Sequence, residues 1–135
     1  MGSEDEVRLA VPARPEFLGL ARVTAAGLAS RLGFTYDQVE DLRLAIDEIC
    51  FGLTGSKGRD GTLELQFHLT EDALMVRGYG HFPVLGPVRL SELSELILDA
   101  LVDEHSVQDG PGGLSFYMLK KRAVAGSQGS PGEGP

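Results

Sequence analysis

The chain has 135 residues, lacks tryptophan and contains a single cysteine, Cys50. One cysteine cannot form an internal disulfide, and its apolar helical surroundings predict a buried thiol. No apolar run approaches the roughly 20 residues that a membrane-spanning helix needs. The opening MGSEDEV has neither the basic nor the apolar region of a signal peptide. The histidines, His68, His81 and His105, are scattered and predict no zinc site. We therefore expect a cytoplasmic protein without a bound metal.

Basic residues are also in short supply. Asp and Glu number 20 against 12 Lys and Arg, which gives a net charge of −8. This charge disfavours direct binding to nucleic acid or an anionic membrane, and suits a basic partner. The length fits one domain with a substantial core. We place that domain at 7–122, between a disordered N-terminal segment (1–6) and a disordered tail (123–135) rich in Gly, Pro and Ser.

Hydrophobic periodicity predicts the first half of the domain. A strand covers 7–13, where apolar residues alternate. A helix follows over 16–32, with the apolar stripe Phe17, Ala21, Thr24, Leu28 and Leu32, and Gly33 ends it. Thr35 and Gln38 form a capping box for a second helix, and its stripe is Val39, Leu42, Ile46, Ile49 and Leu53.

The second half reads as two hairpins separated by a helix. TLELQFHL and ALMVRGYG alternate around a short turn. An irregular segment, HFPVLGPV, precedes a third helix over 91–104, and DGPGG (109–113) is a hairpin turn before a last strand. The order β-α-α-β-β-α-β-β predicts a two-layer α/β sandwich with a mixed, mostly antiparallel sheet and the helices on one face.

The stretch AIDEICFGLTG in the second helix places two acids, Asp47 and Glu48, inside an apolar run. On a helical wheel Glu48 lies opposite the core stripe and Asp47 lies on the flank. Leu44 and Phe51 put apolar surface on both sides of Glu48. A carboxylate in such a niche can act as a base, although a solvated face explains the pattern as well.

The first helix carries small residues opposite its predicted stripe. Gly19, Ala26 and Ala29 make this face nearly flat, and Arg22 stands up from it. Small residues let another backbone approach, and Arg is favoured at interface hot spots. The pattern indicates a partner surface, with a plain solvent face as the alternative.

ARVTAAGLASRL (21–32) followed by DLRLAIDEIC (41–50) resembles the bacterial anti-sigma factors that double as switch-protein serine kinases, in their actinobacterial branch. The resemblance covers about 7–122 and implies the histidine-kinase-like ATPase (GHKL, Bergerat-type) fold. It implies that Glu48 is the general base for nucleotide chemistry. It also implies that Arg22 contacts both a sigma factor and the antagonist, a small α/β anti-anti-sigma protein of the STAS type.

Three nucleotide motifs of that family are degenerate here. Gly52 stands where an Asn would hold magnesium. Gly78, followed by Gly80, stands where a strand-end Asp would bind adenine. The Gly-rich lid is replaced by RLSELSEL (89–96), which has Glu92 at the start of the helix. A carboxylate there competes with phosphate for the positive helix end.

Losing these contacts together removes about 5–8 kcal/mol of nucleotide binding. The resemblance and its departures thus predict a regulatory protein that sequesters a sigma factor and is released by an antagonist, with weak or absent ATP and magnesium binding. One alternative is an active serine kinase that phosphorylates the antagonist. Another is a domain whose pocket holds a different small ligand, or a dimerisation module. A homodimer is expected, because the family tends to dimerise through its sheet.

Overall fold

The computed structural model describes residues 5–83, 90–110 and 113–123. Its strands are β1 (Asp5–Pro12), β2 (Thr62–Leu69), β3 (Ala73–His81), β4 (Glu104–Gly110) and β5 (Gly113–Lys121). Its helices are α1 (Pro15–Arg31), α2 (Tyr36–Thr54) and α3 (Glu92–Leu101). The order β1-α1-α2-β2-β3-α3-β4-β5 confirms the predicted sequence of elements.

The strands form one sheet in the order β1-β2-β3-β5-β4, and each described pair of neighbours is antiparallel. The two-layer sandwich is confirmed, but the sheet is antiparallel rather than mixed. A single helix between strands produces a parallel pair, whereas α1 and α2 in succession return the chain and leave β2 antiparallel to β1. The strand β4 does run parallel to β3, but β5 lies between them, so the two never pair.

The start of α2 is fixed by the predicted capping box. The Gln38 amide donates to the Thr35 hydroxyl at 3.1 Å, and the Gln38 side chain accepts from the Thr35 amide at 3.0 Å. Both bonds satisfy N–H groups that a helix start leaves without partners. By contrast, α1 has no side-chain cap, and it begins with Pro15, whose missing N–H costs nothing there.

The core lies between the helices and one face of the sheet. Leu63, Leu65 and Phe67 of β2 alternate toward the helices and are fully buried. The predicted stripe of α2 is confirmed at Leu42, Ile46, Ile49 and Leu53, and Cys50 is buried as predicted. The opposite face of the sheet is open and largely polar, with the Arg77 guanidinium 5.1 Å from the centre of the Tyr117 ring.

The buried stripe of α1 differs from the prediction. It consists of Leu18, Ala21, Ala25 and Ala29, while Phe17 and Leu28 are only partly buried. The helix is rotated from the predicted phase because its alanines, rather than its larger residues, face the core. Small side chains allow α1 to lie close to α2.

Two predicted boundaries need correction. Asp5 and Glu6, predicted to be disordered, belong to β1 and face Leu69 and His68 of β2. The helix α3 ends at Leu101 rather than 104, because Val102 is buried in an extended conformation. Predictions for 1–4, 84–89, 111–112 and 124–135 lie outside the described residues.

Candidate functional site

The two adjacent acids of α2 contact different neighbouring helices. Nη1 of Arg22, on α1, donates to both Asp47 oxygens at 2.8 and 3.1 Å. The Ser94 hydroxyl, on α3, donates to Oε2 of Glu48 at 2.5 Å. Successive residues of a helix point about 100° apart, so one Asp-Glu pair reaches both sides of α2. This explains why two acids stand together in an apolar run.

A groove of about 380 Å³ opens between α1 and α2. It brings together three of the predicted residues, Gly19, Arg22 and Glu48, although the sequence placed Arg22 and Glu48 on separate faces. The groove mixes apolar and charged side chains, and its lining is Pro15, Glu16, Leu18, Gly19, Arg22, Asp47, Glu48 and Phe51. Throughout, we call this the α1–α2 groove.

The remaining predicted partner residues lie elsewhere. Ala29 has no exposed surface and cannot contact a partner, and Ala26 is only partly exposed. Both differences follow from the rotation of α1, which turns its alanines inward. The same rotation exposes Leu20 by 51% and Val23 by 66%, two apolar residues that the sequence analysis did not select.

Exposed apolar side chains are concentrated on the helical layer. Every large hydrophobic residue found exposed in the described part of the chain lies on a helix: Leu20, Val23, Tyr36, Leu44, Phe51, Leu93 and Leu96. Burial of such side chains is the main source of affinity between proteins. The helical layer therefore has the composition of an apolar docking surface.

The resemblance implies a magnesium ligand at the position of Gly52. The space that such a side chain would need is occupied by a leucine from the segment before α3. A Cβ added to Gly52 would lie 2.5 Å from Cδ2 of Leu90, two residues before α3 begins. The start of α3 is capped by Ser91, whose hydroxyl accepts from the Ser94 amide at 3.0 Å. Ser94 then contacts Glu48, so both Glu48 and Gly52 face this end of α3. A metal ligand at Gly52 would require Leu90 to move.

At Gly78, where the resemblance implies an Asp that binds adenine, an aromatic ring occupies the space of a side chain. A Cβ on Gly78 of β3 would collide with the Phe116 ring from the neighbouring β5, and Phe116 is only 3% exposed. A Cβ on Gly80 would lie 2.5 Å from the ring of Phe82. The Asn and Asp side chains that the resemblance implies at Gly52 and Gly78 therefore do not fit here unless Leu90 and Phe116 move.

Cys50 occupies the buried face of α2, beneath the two acids. Burial, with a smaller contribution from the nearby Asp47 charge, raises the pKa of its thiol from 9.0 to about 12. Such a thiol stays protonated and unreactive at neutral pH.

Among the described residues, no three His, Cys, Asp or Glu side chains are placed to hold a metal ion. Within the same residues, no helix combines the length and apolar character of a membrane span.

The chain is similar to several serine-protein kinases called RsbW. It is 39% identical to the Bacillus velezensis protein over 149 aligned positions, which cover 93% of each chain. It is 40% identical to the Halalkalibacterium halodurans protein over 73 residues and 39% identical to the Bacillus subtilis protein over 75 residues. In these two matches the chain spans about half the relative's length, 45% and 47%.

No protein-family model matches the chain. Among solved structures it is similar to the RsbU and RsbW domains of a Mycobacterium tuberculosis protein, with a TM-score of 0.65 and 15% identity over 89% of this chain and 33% of that one. That likeness supports the fold. The identity to the Bacillus velezensis protein over nearly the whole of both chains shows that this chain belongs to the RsbW serine-protein kinase family.

Proposed function

We propose that this chain is an anti-sigma regulator that acts in the cytoplasm as a single domain over about 7–122. It binds a sigma factor through the α1–α2 groove and the apolar residues around it. An anti-anti-sigma protein of the STAS type competes for the same surface and releases the sigma factor. Its kinase activity is weak or absent.

The observation that carries this proposal is the convergence of Arg22, Gly19 and Glu48 on one open groove. The exposed ring of Phe51 on α2 lines that groove, together with Pro15 on α1. A surface that combines apolar anchors with a central arginine has the features of an interaction hot spot. Family membership supplies the class of partner.

Weak nucleotide binding is supported by the contacts at the degenerate motifs. Leu90 lies against Gly52, and Phe116 lies against Gly78. Replacing a missing ligand would therefore also require the neighbouring side chain to leave. We accordingly propose that Glu48 is a former catalytic base that now ties α2 to α3 through Ser94.

Affinity for a sigma factor tests the partner. The sigma factors of the source organism are purified and titrated individually into the wild-type chain and into Arg22→Glu. We expect one of them to bind and the variant to lose at least a hundredfold in affinity, because a buried like charge at a hot spot costs several kcal/mol. Arg43→Glu is the matched control, since Arg43 pairs with Glu40 on α2 and does not line the groove. Equal binding by wild type and Arg22→Glu would mean that the groove is not the docking site.

An active serine kinase is the second candidate. It is supported by the position of Glu48, whose carboxylate lines the open α1–α2 groove and accepts a hydrogen bond from a serine hydroxyl, that of Ser94. The relatives are also called serine-protein kinases. Transfer of labelled phosphate from ATP to a STAS-type antagonist, lost in Glu48→Ala, would establish this alternative.

We also propose a homodimer, formed through the open face of the sheet. Its side chains include Arg77, Tyr79 and Tyr117, which line a depression of about 280 Å³. Sedimentation of the wild type and of Arg77→Glu tests the dimer. If the two proteins sediment alike, the sheet does not form the contact.

A further inference from the structure

The Arg22–Asp47 ion pair lies at the solvent boundary of the α1–α2 groove. The two side chains are 37% and 39% exposed. A single guanidinium nitrogen, Nη1, donates to both Asp47 oxygens. A guanidinium has five N–H donors, so this arrangement uses only one edge of the group. The ion pair is therefore accessible to a carboxylate that approaches from solvent.

Gly19 leaves room for the guanidinium in this position. A Cβ at Gly19 would lie 3.2 Å from Nη2 of Arg22, one turn further along α1. The guanidinium thus folds back against the helix, with Gly19 beneath Nη2 and Asp47 at Nη1. Asp47 is therefore the residue that binds the guanidinium, and the absent side chain of Gly19 gives it space.

We infer that Asp47 is an internal competitor that lowers the affinity of Arg22 for a carboxylate of the protein partner. This inference rests on the proposed role of Arg22 in partner binding. A partner Asp or Glu must either displace Asp47 or bind beside its negative charge. In both cases Asp47 weakens the contact, and it selects partners that bring apolar contacts as well as an acid.

Asp47 has this role because it is the acid that contacts Arg22. Glu16 and Glu48 also line the groove, but Glu16 lies 4.0 Å from Arg14, and Glu48 accepts the Ser94 hydroxyl. A half-exposed ion pair contributes little free energy, since solvent screens it. Removing the Asp47 charge is therefore expected to strengthen binding of an acid about five-fold, rather than by orders of magnitude.

A matched control exists on the same helix. Glu40 pairs with Arg43 at 2.6 Å, with side-chain exposures of 34% and 40%. Glu40→Gln and Asp47→Asn each remove one negative charge from α2 and free one arginine. Only the second substitution frees Arg22, so any change due to net charge alone appears equally in both variants.

The first measurement needs no protein partner. The probe is N-acetyl-glutamate α-amide, with its glutamine counterpart as the neutral reference, and the readout is the NMR shift of the Arg22 side-chain Nε–H. We expect Asp47→Asn to respond at about one-fifth of the probe concentration that wild type and Glu40→Gln require. Identical titrations for wild type and Asp47→Asn would overturn the inference, as would an equal response to the neutral probe.

The second measurement uses the sigma factor that binds when the sigma factors are titrated into wild type and Arg22→Glu. Asp47→Asn should bind it about five-fold more tightly, and Glu40→Gln should stay within two-fold of wild type. Suppose that Arg22→Glu abolishes the complex but Asp47→Asn binds no more tightly than wild type. This result would contradict the inference about Asp47 and leave the proposed docking site intact. If Arg22→Glu has no effect, the proposed docking site fails, and the probe titration still decides whether Asp47 competes for Arg22.

Discussion

The two sides of α2 differ in how far solvent can reach them. On the side of α1, Asp47 and Arg22 border a groove that solvent reaches. On the side of α3, Ser94 contacts Glu48 and Leu90 covers Gly52. We propose that this scaffold has kept a surface for another protein and lost the contacts that hold a nucleotide. The following predictions test each side, from the largest expected effect to the smallest.

Gly78→Asp should cause the largest loss of stability. It tests whether Phe116 blocks a side chain at position 78. The new side chain would collide with the Phe116 ring and place a carboxylate in an apolar core. We expect a loss of about 3 kcal/mol or more in the free energy of unfolding, measured by urea denaturation. Gly27→Ala on α1 is the control, because its Cβ would meet no atom within 4 Å. An unchanged midpoint for Gly78→Asp would show that the adenine position is open.

The pH dependence of stability due to Cys50 tests whether the interior beneath α2 is closed to solvent. Its thiol pKa is about 12 in the folded protein against an ordinary 9.0, so the folded state holds the proton more tightly. The resulting stability is complete below pH 9 and is lost as pH rises from 9 to 12. At pH 10 we expect a loss of roughly 1 kcal/mol relative to Cys50→Ala, measured by denaturation at pH 7 and pH 10. Parallel pH profiles for the two proteins would contradict a closed interior.

Ser94→Ala should have the smallest effect, confined to the contact between α2 and α3. It removes the hydroxyl that donates to Glu48 and leaves the Ser91 cap in place. A bond to a half-buried carboxylate is worth roughly 1 kcal/mol. Hydrogen exchange should therefore accelerate in α3 and remain unchanged in α1. Ser30→Ala, an exposed substitution on α1, provides the comparison. Equal exchange in α3 for both variants would mean that Ser94 does not hold α3 in place.

Much of the fold was predictable because its signals are local. Alternation identified the strands, and Thr35 with Gln38 marked the start of α2 correctly. The phase of α1 was not predictable, because an alanine such as Ala29 is equally suited to a core and to a flat surface. Only the packing of α1 against its neighbours decides between the two.

The site was predictable in part for a similar reason. Motif spacing selected Arg22 and Glu48, which the structure brings to one groove, and the residue types at Gly52 and Gly78 were visible in the sequence. The side chains that lie against these two glycines, Leu90 and Phe116, could not be predicted, because they reach them through tertiary packing. The pairing of Gly78 with Phe116 across β3 and β5 depends on a register that no local pattern specifies.

The most direct test is a calorimetric titration of the full chain with ATP and magnesium. With Leu90 against Gly52 and Phe116 against Gly78, we predict no heat of binding up to millimolar nucleotide, in a preparation that still binds its sigma factor. A micromolar dissociation constant that requires magnesium and disappears in Glu48→Ala would contradict the account.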